Sequence, residues 1–262
     1  MRHRVTALNT DTASGNKIHD DAVARSLGFR GGLVPGVDVY AYLCHLPAER
    51  WGRDWLERGT ITARFAAPVY DGDQIEIDGA PTADGLALEL ELRDPAGAPC
   101  AAGRAALPDN PPPPPPADAW PSTAPPPPEE RPVATPESLR AINLGSVAAT
   151  FVAERSPEYL DDIREHLPLF RDEHLAHPGW LLRFANYVLT ANVRMGPWIH
   201  VASTVQLLGV VGDGDRVETR ALVTDVRERK GHRFVDLDVL QLVGDRPVVR
   251  TAHTAIYQPR GT

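Results

Sequence analysis

Apolar and polar residues alternate with period two in several short runs of this chain. Ile61, Ala63, Phe65, Ala67 and Val69 are interleaved with Thr62, Arg64 and Ala66, and Leu86, Leu88, Leu90 and Leu92 with Ala87, Glu89 and Glu91. Both runs predict strands of a half-buried antiparallel sheet. Elsewhere the period is helical. DDAVARSLG at 20–28 reads as a short helix with Asp in its first turn and Gly28 as its stop, and VDVYAYLCHLPAERW, following Gly36, places Val37, Tyr40, Leu43 and Cys44 on one buried face. FRGGLVPG between them is a glycine-rich loop. In the second half, WLLRFANYVLTANV at 180–193 predicts a central helix, and strands follow at about 198–211, 215–227, 232–243 and 247–257, with turns at Gly-Asp-Gly, Lys230-Gly231 and Gly244-Asp245.

The order of elements repeats, and so do local signatures. VYDGDQIE at 69–76 recurs as VGDGDRVE at 211–218, and Pro35-Gly36 as Pro178-Gly179 at nearly the same interval. Asp-Gly-Asp between period-two runs is turn chemistry joining antiparallel strands, whereas Pro-Gly before an apolar stretch marks a helix start. The chain therefore reads as a duplicated α+β unit, each copy a helix wrapped by an antiparallel sheet. Residues 108–136 hold more than half of the 26 prolines. Such a run cannot supply ladder donors and favours extended polyproline II, so it is expected to be a spacer. The expected organisation is one unit over 1–107, the linker over 108–136 and a second unit over 137–262.

Composition narrows the function. A chain of 262 residues has ample core, and its net charge of −8 argues against a nucleic-acid or anionic-membrane surface. Two cysteines, Cys44 and Cys100, suit reduced thiols rather than a disulfide framework. The N-terminal MRHRVTALNTD lacks a signal-peptide apolar core and no apolar run spans a bilayer, so a soluble cytoplasmic protein is expected. His166, His174 and His177 lack an acidic partner pattern such as HExxH, and no metal is expected there. No P-loop, dinucleotide fingerprint or G-x-S-x-G elbow is present.

The copies differ at one place. Asn16, His19 and Asp21 in the first have no histidine counterpart in SPEYLDDIREH at 156–166 of the second, so only the first is expected to do chemistry. SGNKIHDDAVARSLGFRGGLVPG at 14–36, followed by TARFAAPVYDGDQIEI at 62–77, resembles the MaoC-like (R)-specific enoyl-CoA hydratases and acyl dehydratases. The most specific pieces are the Asn16-x-x-His19 spacing with Asp21, Gly28-Phe29, and the strand pair from Arg64 to Ile75. The resemblance implies a double hotdog and a lyase that hydrates 2-enoyl thioesters or dehydrates 3-hydroxyacyl thioesters. It further implies His19 as acid and base, Asn16 as its orienting neighbour, and the Gly36 amide as donor to the thioester oxygen. The family's Asp, five residues before the histidine, is Ser14 here; Lys17 replaces the usual proline, and Pro35 the histidine before the final loop glycine.

Hydration of a conjugated thioester needs a base for water, an acid for the α-carbon and a donor for the enolate-like oxygen. A serine at 14 can orient water but cannot act as a carboxylate base, so either His19 works alone or Asp11 or Asp21 supplies the missing charge. Substrate would be an acyl-CoA or acyl-carrier-protein thioester, with coenzyme A as part of the substrate and no separate cofactor. Arg227, Arg229, Lys230 and Arg233 are the candidates for its phosphates, although a Lys-Gly hairpin with solvated neighbours is more often only a turn. Two alternatives keep the fold: a thioesterase with Asp38 or Asp21 as its carboxylate, and a non-catalytic acyl-thioester binder, which Ser14 would suit. Paired units within one chain suit a monomer, and a homodimer of such subunits is also compatible.

Overall fold

The computed structural model describes residues 1–261. The first half runs β1 (Arg2–Thr6), α1 (Asp21–Ser26), α2 (Gly36–Arg58), β2 (Thr60–Phe65), β3 (Gln74–Pro81), β4 (Ala87–Arg93) and β5 (Pro99–Ala106). The second runs α3 (Pro136–Ala141), β6 (Val147–Thr150), α4 (Ser156–Asp162), α5 (Pro168–Asp172), α6 (Pro178–Thr190), β7 (Ile199–Leu207), β8 (Arg216–Arg229), β9 (His232–Val243) and β10 (Arg246–Gln258). Among the described residues all ten strands form one sheet in the order β1-β3-β4-β5-β2-β7-β10-β9-β8-β6. Every first-half strand therefore lies on one side of the seam where β2 pairs antiparallel with β7, Thr60 opposite Gln206. This is the expected α+β double hotdog: two sheets fused at their edges, each curling around one long helix.

The two central helices meet where side chains are smallest. A β-carbon placed on Gly179 of α6 would fall 2.6 Å from the Ala41 Cβ of α2, a crossing only glycine permits. Close by, Asp38 of α2 is fully buried and pairs with Arg183 of α6 at 2.8 Å, while its other oxygen accepts from the Thr10 hydroxyl at 2.6 Å. A buried charge survives only with such partners.

α2 runs about two turns beyond the expected 37–51. Pro47 is accommodated inside it, and Gly52, at φ 56°, breaks the regular coil before the last turns. What draws the chain back into helix is apolar burial, since Trp55 and Leu56 are both in the core. The expected turns are present: Gly72 and Gly214 of the repeated Asp-Gly-Asp have φ of 76° and 81°, and Lys230-Gly231 turns with φ of 53° and 79°.

The proline-rich segment is more than a spacer. Pro112 and Trp120 lie across the outer face of the second half, where the Pro112 carbonyl accepts from Gln206 of β7 at 3.1 Å and the Trp120 indole donates to the Asp238 carbonyl of β9 at 3.0 Å. Trp120 is buried against Leu240 and Leu242. Beyond it, Gly145 packs on Pro125, and Arg131–Ala134 lies alongside Arg194 just after α6. A lone aromatic anchor thus fixes the path of a segment whose prolines already restrict it.

Cys44 and Cys100 are free and buried. Burial pushes both thiols above their ordinary range, so neither is a poised nucleophile. No described helix is long and apolar enough to cross a membrane.

Candidate functional site

A cavity of about 690 Å³ opens between the two halves. His19, Gly36 and Phe65 line it from the first, and Tyr187, Trp198 and His200 from the second.

His19 ends a short 3₁₀ turn, Lys17–His19, whose N-terminal cap is Asn16. The Asn16 amide spans the halves: its oxygen accepts from Trp198 N–H at 3.1 Å and its nitrogen donates to the Trp198 carbonyl at 3.0 Å. Those two bonds fix which end of the amide faces His19. His19 is 8 % exposed, and its Nδ1 lies 2.7 Å from the Leu33 carbonyl. A carbonyl can only accept, so Nδ1 carries the proton and Nε2 presents its lone pair. Around Nε2 stand Asn16 Nδ2 at 3.3 Å and Asp11 Oδ2 at 3.9 Å. The glycine-rich loop holds this arrangement, because any β-carbon on Gly32 would overlap the His19 carbonyl, which accepts from Asn9 at 3.0 Å.

Gly36 is the first residue of α2, so its N–H has no carbonyl one turn back to bond. Pro35 at the cap has no side-chain acceptor to offer it. Unlike its buried neighbours Pro35 and Val37, Gly36 is partly accessible, on the cavity side. The second copy is different at this point. His177 caps α6, and its Nδ1 accepts from Gly179 N–H at 3.0 Å, consuming the donor that Gly36 leaves open. The residue equivalent to His177 in the first copy is Val34, which cannot accept. Only the first copy therefore combines a free helix-start N–H with an imidazole in a cavity.

Ser14 lines the cavity and its hydroxyl donates weakly to the Asn16 carbonyl at 3.3 Å. Asp11 also lines it, making Asp11 the carboxylate nearest the His19 ring. Asp21 is outside. Gly32 N–H and Arg25 bond its carboxyl at 2.8 Å each and hold it below the usual carboxylate range, so it ties down the loop rather than serving the cavity. Asp38 is likewise unavailable as a thioesterase carboxylate, since Arg183 and Thr10 occupy both of its oxygens. Arg227, Arg229, Lys230 and Arg233 do not line the cavity. Arg227 pairs with Asp225 and Asp236, Arg233 lies near Glu228 and donates to Gln258, and Arg229 and Lys230 are exposed at the hairpin.

The residue that sequence reasoning did not reach is His200. Its Nε2 and the Nδ1 of His253 flank the Ser203 hydroxyl at 2.9 and 3.0 Å, and the two rings stack at 4.3 Å. All three are buried. Burial, with the neighbouring His253, keeps His200 neutral by lowering its pKa, and burial brings His253 down to about 4. The His200 ring is the floor beneath Gly36.

Among the described residues no cluster of three or more His, Cys, Asp or Glu side chains could hold a metal ion.

No family model matches this sequence, and no curated protein does either. Solved structures do match in three dimensions. A protein described as a MaoC domain dehydratase from Chloroflexus aurantiacus superposes with a TM-score of 0.59 at 12% identity, covering 99% of this chain and 94% of its own. A Mycobacterium tuberculosis protein described as a double hotdog gives 0.61 at 14% identity over 97% and 95%. A protein described as a thioesterase, from Novosphingobium aromaticivorans, gives 0.54 at 12% over 98% and 96%. The chain shares their double hotdog fold along its whole length, and at these identities the chemistry has to be argued from its own residues.

Proposed function

We propose that this protein is a MaoC-type lyase that adds water across the double bond of a 2-enoyl thioester, or removes it from a 3-hydroxyacyl thioester. One observation carries the reading: His19, with its proton fixed on Nδ1, offers the Nε2 lone pair to the cavity that Gly36 lines at the start of α2. A base and an oxyanion donor in one apolar cleft are the minimum this reaction needs.

In the hydration direction, His19 Nε2 takes a proton from water as the water oxygen bonds to C3. The C2=C3 electron pair moves toward the thioester carbonyl, whose oxygen gains charge and is met by Gly36 N–H at the positive end of α2. His19 then returns the proton from Nε2 to C2, completing addition of H and OH. The long 3.3 Å approach of Asn16 to Nε2 is weak enough for water to replace. Asp11, 3.9 Å from Nε2, takes the part that Ser14 cannot: its carboxylate is a second acceptor for the water and stabilises the transient imidazolium. Thioester hydrolysis is less well supported, because Asp38 is locked in its ion pair and Asp21 lies outside the cavity.

The test is loss of enoyl absorbance when purified protein meets crotonyl-CoA and longer 2-enoyl-CoA esters, compared with His19→Gln. Turnover by the wild type that the variant lacks is the expected result. A wild type as inert as the variant at every chain length, yet binding acyl-CoA, would replace the lyase with a non-catalytic acyl-thioester binder.

A further inference from the structure

The cavity has a second polar end that the reaction does not use. Arg131, from the proline-rich segment, and Arg194, just after α6, both line it, and among the described residues neither has a carboxylate within ion-pair distance. They brace each other through backbone: Arg194 Nε donates to the Arg131 carbonyl at 3.0 Å, Arg194 N–H to the Pro132 carbonyl at 2.8 Å, and Arg131 Nη1 to the Thr190 carbonyl at 3.2 Å. Two buried atoms on the same wall have no partner, a donor, Arg131 Nε, and an acceptor, Asn186 Oδ1. A desolvated donor and acceptor left open in a native fold call for a ligand that presents the opposite groups.

A pantetheine arm has that chemistry. Its amides offer an N–H to Asn186 Oδ1 and a carbonyl to Arg131 Nε, and its terminal phosphate meets guanidinium groups that no carboxylate neutralises. We infer that Arg131, Asn186 and Arg194 form the seat of a phosphorylated pantetheine arm, with the linker supplying one of the two cations. The inference rests on the thioester reading of the same cavity. It moves the phosphate contact from the Arg227–Arg233 hairpin to the segment between the two halves. It also gives Trp120 a consequence for binding, because that anchor fixes the path of the chain that delivers Arg131.

Calorimetry with saturated thioesters tests it separately from turnover, since butyryl groups cannot be hydrated. The wild type should bind butyryl-CoA at least roughly tenfold more tightly than butyryl-pantetheine, which lacks phosphate, with the preference shrinking as salt rises. Arg131→Gln/Arg194→Gln should bring the preference close to unity in protein that still unfolds cooperatively, and Asn186→Leu should weaken both ligands. Arg229→Gln/Lys230→Gln at the hairpin should keep the wild-type preference. Equal affinity for butyryl-CoA and butyryl-4′-phosphopantetheine would mark an arm that a carrier protein could also present, and tighter CoA binding would mark the free nucleotide ester. Retention of the full preference by Arg131→Gln/Arg194→Gln, or its loss in the hairpin variant, would overturn the inference. Phosphate-selective binding without enoyl turnover would leave this seat standing and remove the lyase; turnover with no phosphate preference would do the reverse.

Discussion

Gly36 rests directly on the side chain of His200: a β-carbon at position 36 would lie 2.9 Å from the ring Nδ1 and 3.0 Å from the His200 Cβ. The ring cannot step aside, because Ser203 holds its Nε2 and the stacked His253 covers it. Gly36→Ala should therefore shift the start of α2 and cost roughly 1–3 kcal/mol, the usual range for overpacking. Denaturant unfolding of Gly36→Ala, His200→Ala and the double variant checks the cause. The alanine at 36 should cost clearly less once the ring is gone, and strict additivity would show that the two do not oppose each other.

If Asp11 supplies the carboxylate beside His19, then Asp11→Asn should lower kcat by about 10²–10⁴ with little change in KM, the range expected for losing a proton-handling group. Ser14 lines the same cavity. Moving the carboxylate there, as Asp11→Asn/Ser14→Asp, should recover part of the loss in enoyl hydration. Full activity in Asp11→Asn would remove that residue from the mechanism.

Much of this was legible in the sequence because it depends on short-range pattern. The repeated Asp-Gly-Asp and Pro-Gly marked both turns and both central helices, and Asn16-x-x-His19 marked a turn that lines the cavity. His200 escaped for a geometric reason. Residues 200 and 203 should face opposite sides of a regular strand, but β7 bulges at Val201, where Thr254 pairs with Ala202 and Ala255 with His200. The extra residue turns both side chains to the same, inner face. Asp21 misled for a related reason, since its place beside His19 in sequence says nothing of Gly32, which folds back to claim its carboxylate. Arg131 was hidden inside a run whose composition spoke only of a spacer.

The Asp38–Arg183 pair joins the two central helices with one partner fully buried. Removing the Arg183 charge strands the fully buried Asp38, so Arg183→Met should destabilise by about 3–5 kcal/mol, whereas Asp38→Leu/Arg183→Met should come back close to the wild type. Urea midpoints of the single and double variants measure this. Wild-type stability in Arg183→Met would mean that the pair is solvated.

Acid should destabilise the second half, next to the seam, before it protonates carboxylates. His253 sits in β10, bonded to Ser203 of β7, and burial lowers its pKa from 6.5 to about 4. Between those values the unfolded chain binds a proton that the folded chain refuses, so stability falls as pH drops through this window. For His253 alone the loss approaches about 3 kcal/mol, at ~1.4 kcal/mol for each pH unit of the shift. The neutral His200 adds to it in the same direction. Glu165 acts lower down. Burial works against its charge, but His45 at 3.0 Å, with His177 at 3.8 Å, holds its carboxyl well below the usual range, so its contribution is lost only as pH falls below 4.5. Urea unfolding at pH 7.5 and at pH 5 should show a clear drop for the wild type and a smaller one for His253→Gln, which keeps a hydrogen-bonding side chain but cannot titrate. An equal drop in both would place the acid sensitivity elsewhere in the fold.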